Sequence, residues 1–159
     1  MKSKAAFEQV MFTARKWAES NQWPISDIPR ENRVLHRVRN EADWDYSGFT
    51  EGVLLQPHQD SEPLRLEFDE DLYVQDYIKT QFAGPEAHLQ VVAFLRDVQP
   101  CFLEMTVIDE GEFWESGDKQ RLIELMDGCD RALNDILAKD PKARGPLRLP
   151  SGRIIDCMQ

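Results

Sequence analysis

The sequence predicts an α+β fold: a small, mostly antiparallel sheet packed against several helices, within a single domain spanning residues 1–159. Three observations predict it. Residues 7–18 and 118–139 repeat apolar side chains at helical spacing. The stretches GVLLQP and PLRLEFD have strand character and are joined by HQDSE, a turn composition. Helical and strand segments then mix without the regular alternation that builds a parallel sheet. A chain of 159 residues can bury roughly 68–70% of its unfolded surface, which supports a core without disulfide or metal staples.

The elements follow in order. Phe7, Val10, Met11, Ala14, Trp17 and Ala18 line one side of a first helix, which Ser20-Asn21 and Pro24 end. In PRENRVLHRVRNEA, Pro29 suits a first helical turn, and Val34, Leu35 and Val38 share a helical face. We read this segment as helix. The same letters allow a strand with Val34, His36 and Val38 on one side. Trp44, Tyr46 and Phe49 follow in a Gly- and Asp-containing loop that tucks aromatics onto the core. The predicted hairpin comes next, with Leu64, Leu66 and Phe68 alternating against Arg65 and Glu67. Asp69, Glu70 and Asp71 suit the start of a helix through LYVQDYIKTQFAG, with Val74, Tyr77, Ile78 and Phe82 as its stripe. Gly84 caps that helix, and Pro85 opens another over about 86–98. CFLEMTVID reads as a strand with Cys101, Leu103, Met105 and Val107 on one face. A long helix from 118 to 139 carries Leu122, Leu125, Met126, Cys129, Leu133, Ile136 and Leu137, and Pro141 ends it. The tail PLRLPSGRIID forms a second hairpin that turns at Pro150-Ser151-Gly152.

Charge divides the chain. Residues 1–40 hold 8 Lys/Arg against 4 Asp/Glu, residues 41–140 hold 7 against 24, and residues 141–159 hold 4 against 1. The acidic middle repels phosphate backbones, so nucleic acid is not an expected partner, despite Arg30, Arg33, Arg37 and Arg39. No apolar run is long enough to span a membrane, and Glu8, Gln9 and Arg15 interrupt any secretion signal. Cys101, Cys129 and Cys157 are odd in number and far apart, with no CxxC spacing. Neither a disulfide framework nor a zinc module is expected, and the expected compartment is the cytoplasm. The glycines stand singly and form no phosphate loop, so no cofactor is expected.

The stretch VIDEGEFWESGD concentrates Asp109, Glu110, Glu112, Glu115 and Asp118 around Phe113 and Trp114. Asp118 or Ser116 caps the long helix. An extended continuation of the preceding strand would bring Glu110 and Glu112 to one face, which suits paired carboxylates, with His88 as the available titrating base. Asp109, Glu110 and Glu112 offer hard oxygen ligands but lack a calcium-loop spacing, and no metal is expected. The favoured reading is a non-enzymatic, acidic protein-binding module, such as an immunity or inhibitor protein that masks a basic partner. Asp109, Glu110, Glu112, Trp114 and Glu115 are its contact residues. The alternatives are a small enzyme or ligand-binding domain using Glu110, Glu112 and His88, and a subunit of a homo-oligomer such as a homodimer.

Overall fold

A computed structural model describes residues 1–39 and 42–158. It contains four helices, α1 (Lys4–Asn21), α2 (Pro85–Val98), α3 (Phe113–Ser116) and α4 (Lys119–Lys139). It also contains five strands, β1 (Ile25–Arg39), β2 (Ala42–Leu55), β3 (Leu64–Phe68), β4 (Leu147–Arg148) and β5 (Ile154–Ile155). Strands β1, β2 and β3 form an antiparallel sheet in that order, and β4 pairs with β5. The chain is therefore α+β. Among the described residues no helix is long and apolar enough to cross a membrane.

The described residues fall into two compact units. The first draws on Met1–Pro57, Leu64–Tyr77 and Phe94–Met105; the second draws on His58–Pro63, Ile78–Ala93 and Thr106–Gln159.

In the first unit, α1 starts where the Ser3 side chain accepts the Ala6 N–H, and it ends where Gln22 turns left-handed at φ 57°. Its buried residues Val10, Ala14 and Ala18 belong to one core with Trp23, Val53, Leu55, Leu66 and Phe68. Phe7 meets Phe68 edge-on at 5.3 Å, and Trp17, Trp23 and Phe94 form an aromatic cluster.

The segment read as a helix over PRENRVLHRVRNEA is β1, and the aromatic loop after it is β2. Asn40 and Glu41, near the end of that reading, lie outside the described residues. The pairing inverts the expected burial: Val34 and Val38 are exposed, whereas Arg37 is buried. The physical reason is pairing at long range. Thr50, Gly48, Tyr46 and Trp44 stand opposite Glu31, Arg33, Leu35 and Arg37, so a period of two decides which residues face inward. Because β3 pairs only with Glu51–Leu55, the far part of the β1–β2 hairpin is a two-stranded arm. Such a ribbon is marginal alone. Residues 69–76 brace it. The Arg37 guanidinium lies 5.1 Å from the Tyr73 ring centre and donates to the Gln75 carbonyl. The Tyr46 hydroxyl accepts the Glu70 N–H.

That brace replaces the helix expected from 72 onward. The Asp69 carboxylate accepts from the backbone of Asp71 and Tyr73, and Leu72 is left-handed at φ 58°. Asp76 accepts the Arg65 N–H. These side chains are committed to turn and sheet bonds, which compete with a helical ladder. A short 3₁₀ turn, Gln81–Ala83, is all that remains of the predicted helix. Gly84, predicted as its left-handed cap, instead has φ 81° and ψ 172°.

The second unit contains α3, α4 and the β4–β5 hairpin. Of the two expected caps, Asp118 is the one that caps α4, accepting the Arg121 N–H at 3.1 Å. Its long stripe is less buried than expected. Leu122 is buried, but Cys129 and Ile136 are exposed. Pro150-Ser151-Gly152 forms the predicted turn, with Gly152 at φ 86°. The carboxylate of Glu62, only 1% exposed, anchors this hairpin. It accepts the N–H of Ile154 at 2.6 Å, the N–H of Lys79 at 3.1 Å and the Arg153 guanidinium at 3.2 Å.

Residues 101–109 are not a strand. They join no ladder among the described residues. The alternation that suggested one also fails to sort inside from outside: Ile108 is 90% exposed, and Leu103 on the opposite predicted face is exposed too.

Candidate functional site: the acidic turn before α4

The acidic stretch folds as a tight turn into α3, followed directly by α4. Asp109 organises it. Its side chain is 4% exposed. Its carboxylate accepts the N–H of Gly111 at 2.8 Å and the N–H of Trp114 at 2.7 Å. Two otherwise orphaned donors at the start of a helical turn are thereby satisfied. His88 on α2 places Nε2 3.2 Å from the same carboxylate, and its Nδ1 lies 2.9 Å from the Thr80 hydroxyl. Burial pushes the Asp109 carboxyl upward. The Trp114 N–H, the His88 charge and the Gly111 N–H outweigh that and hold it below the ordinary value. Gly111 lets these groups approach closely: a Cβ there would lie 2.6 Å from Leu122 Cδ1 and 3.2 Å from His88 Cε1, so the Leu122 side chain would have to shift.

Glu112 enters α3 in a left-handed conformation at φ 57°, so the strand geometry that would align it with Glu110 does not exist. Its carboxylate instead receives two bonds from the Arg121 guanidinium, at 3.0 and 3.3 Å. The bonds from Arg121 and its charge hold the Glu112 carboxyl below the ordinary range. A general acid needs a shift in the opposite direction. Glu110, Glu112 and Glu115 are exposed, and Trp114 is half-buried. Of the five proposed contact residues, Asp109 therefore faces inward, while the other four reach the surface at least in part.

Thr80, His88 and Asp109 have the hydroxyl–imidazole–carboxylate order of an activated nucleophile. Their setting is that of a clasp. Thr80 is 7% exposed, and both Asp109 oxygens already hold backbone N–H groups. Two grooves are present elsewhere. One, of about 230 Å³, is lined by residues that include Phe7, Arg15, Asp27 and Glu51. The other, of about 290 Å³, is lined by Asp60, Phe82, Pro146, Arg148 and Ile154. Both are small beside the usual 300–1,000 Å³ of a ligand pocket, and neither is lined by Glu110, Glu112 or His88. Among the described residues, no group of three or more His, Cys, Asp or Glu is placed to hold a metal ion.

Sequence reasoning missed the clasp, although one signal was present. An aspartate two residues before a glycine and just ahead of a short helical turn is a common backbone-capping arrangement. Nothing local indicated Thr80 or the Glu112–Arg121 pair. Comparison with protein-family models, with curated proteins and with solved structures finds no match to this chain.

Proposed function

We propose that this chain is a non-enzymatic protein-binding module that receives a basic partner on the acidic turn between residues 109 and 118. One observation supports this reading above others: Asp109 is spent inside the turn, where it fixes the backbone that presents Glu110, Trp114 and Glu115. A surface held in place before contact loses less conformational freedom on binding. A half-buried tryptophan with exposed carboxylates beside it in the chain offers an apolar anchor and charge for a rim. Exposed acids also speed encounter with a cationic protein. Glu112 contributes less charge than its position suggests, because Arg121 already neutralises it. An inhibitor or immunity protein that covers a basic active site in the cytoplasm is the concrete form of this reading.

The test compares the wild type with a Glu110→Lys/Glu115→Lys variant as bait in host extract at rising salt. The expected result is a basic protein retained by the wild type, released by salt and not retained by the variant. Its association rate, measured with purified partner, should fall with ionic strength. Retention of the same protein by both baits, or recovery of none, would refute the assignment.

A further inference from the structure

We propose that β1 is a dimerisation edge, pairing antiparallel with β1 of a second copy about a two-fold axis at Val34. The inference rests on the first unit alone and is independent of the proposed function. Strand β1 lies at the edge of its sheet, and among the described residues it pairs only with β2. Exposed edges are normally blocked, because their unpaired N–H and C=O groups template association.

Here both ends of the edge are blocked and the middle is open. At one end, the Gln75 side-chain amide occupies Val38. Its Oε1 accepts the Val38 N–H at 2.9 Å, and its Nε2 donates to the Val38 carbonyl. Gln75 thus imitates an added strand, and it shows that the Val38 main-chain groups point away from β2. Direction alternates along a strand, so those of His36, Val34 and Asn32 also point outward. At the other end, the register slips between Ile28 and Glu31, and Pro29 has no N–H to offer. The open window therefore runs from Asn32 to His36, with Val34 at its centre. Asn32, Val34 and His36 are all exposed, Val34 to 66%.

A window centred on one residue suits a two-fold partner, because a two-fold contact must match the same surface with itself. With the axis at Val34, Val34 meets its own copy, and Asn32 and His36 meet each other twice. All three pairs have the parity that exchanges both backbone bonds. Side-chain charge fits this register. Glu31 stands opposite Arg37, Arg33 opposite Leu35, and no like charges are opposed. The exposed apolar group Val34 gains cover at the seam.

The test is sedimentation of the full chain from micromolar to millimolar concentration. The wild type should sediment as a dimer that dissociates on dilution. Val34→Pro should be monomeric and folded by circular dichroism, since the N–H it removes points away from β2. Should Val34→Pro fail to fold, Val34→Lys gives the same answer: its side chain stands in solvent, and two lysines would meet at the axis. Register is read by oxidation with Cys101, Cys129 and Cys157 replaced by Ser. Opposed Cα atoms in such a pair lie about 5.5 Å apart, within reach of a disulfide. Val34→Cys should therefore crosslink, and Val38→Cys should not. A monomeric wild type at every concentration, a dimer indifferent to both Val34 substitutions, or equal crosslinking at Val38 would overturn the proposal.

Discussion

Replacing Asp109 by Ala should destabilise the second unit by about 3 kcal/mol. The substitution removes the acceptor for three donors at once: the N–H groups of Gly111 and Trp114 and the His88 imidazole. A buried donor stripped of its partner costs about 1–3 kcal/mol, and loss of a helix cap alone about 0.5–2 kcal/mol. The three terms do not add fully. Gly111 and Trp114 are only half-buried, so water recovers part of the loss. Asp109→Asn keeps one acceptor oxygen but turns an amide N–H₂ toward a donor, and its cost should be nearer 1–2 kcal/mol. Urea unfolding followed by circular dichroism gives the stability change, and amide exchange gives its location. Protection at Gly111 and Trp114 should fall in both variants, further in Asp109→Ala. A loss below about 1 kcal/mol in Asp109→Ala, or unchanged exchange at those two amides, would mean that the carboxylate does not hold the turn.

Two further outcomes follow from buried carboxylates. Glu62→Ala should cost about 3–5 kcal/mol, the usual range for removing one partner of a buried charged pair. It should also expose the Ile154 amide to exchange, because that N–H loses its 2.6 Å acceptor; an amide still protected in the variant would contradict the assigned anchor. Asp109 predicts acid sensitivity. Its folded pKa is depressed below the ordinary 3.8, so its stabilisation is complete above the unfolded value and is lost as pH falls through the lower folded value. Urea midpoints taken between about pH 5 and pH 2 should therefore fall more steeply for the wild type than for Asp109→Asn. Equal slopes would show that Asp109 titrates alike in both states.

Much of the fold was legible where a local rule and the tertiary environment agree. Helix α1 combines a 3.6-residue stripe with a Ser3 cap, and α4 begins at the predicted Asp118. The β2–β3 pairing follows from alternation, with Leu64, Leu66 and Phe68 all buried, but Glu67 on the other face is buried too, held by Thr50 and Arg65. Two of the misreadings share a cause. In β1 and in residues 69–80 the deciding bonds are made to distant residues: Arg37 to Gln75, Val38 to Gln75, and Arg65 to Asp76. A short window cannot see such partners. It ranked Val34 and Val38 as core because they are apolar, whereas the pairing turns Arg37 inward and leaves both valines in solvent.

The acidic turn was legible as a concentration of charge but not as an arrangement. Composition cannot separate a carboxylate that builds a surface from one that faces a partner, because both choices spell the same letters. The separation comes from where the donors are. Gly111 and Trp114 place two N–H groups around Asp109, Arg121 reaches Glu112 from the first turns of α4, and among the described residues no comparable donor holds Glu110 or Glu115. The five acids therefore divide by role: Asp109 shapes the turn, Asp118 starts α4, Glu112 ties the two together, and Glu110 and Glu115 face solvent. A charge-reversal experiment on Glu112 would disturb that internal tie as well as any contact. Reversal at Glu110 and Glu115 tests recognition while leaving the scaffold intact.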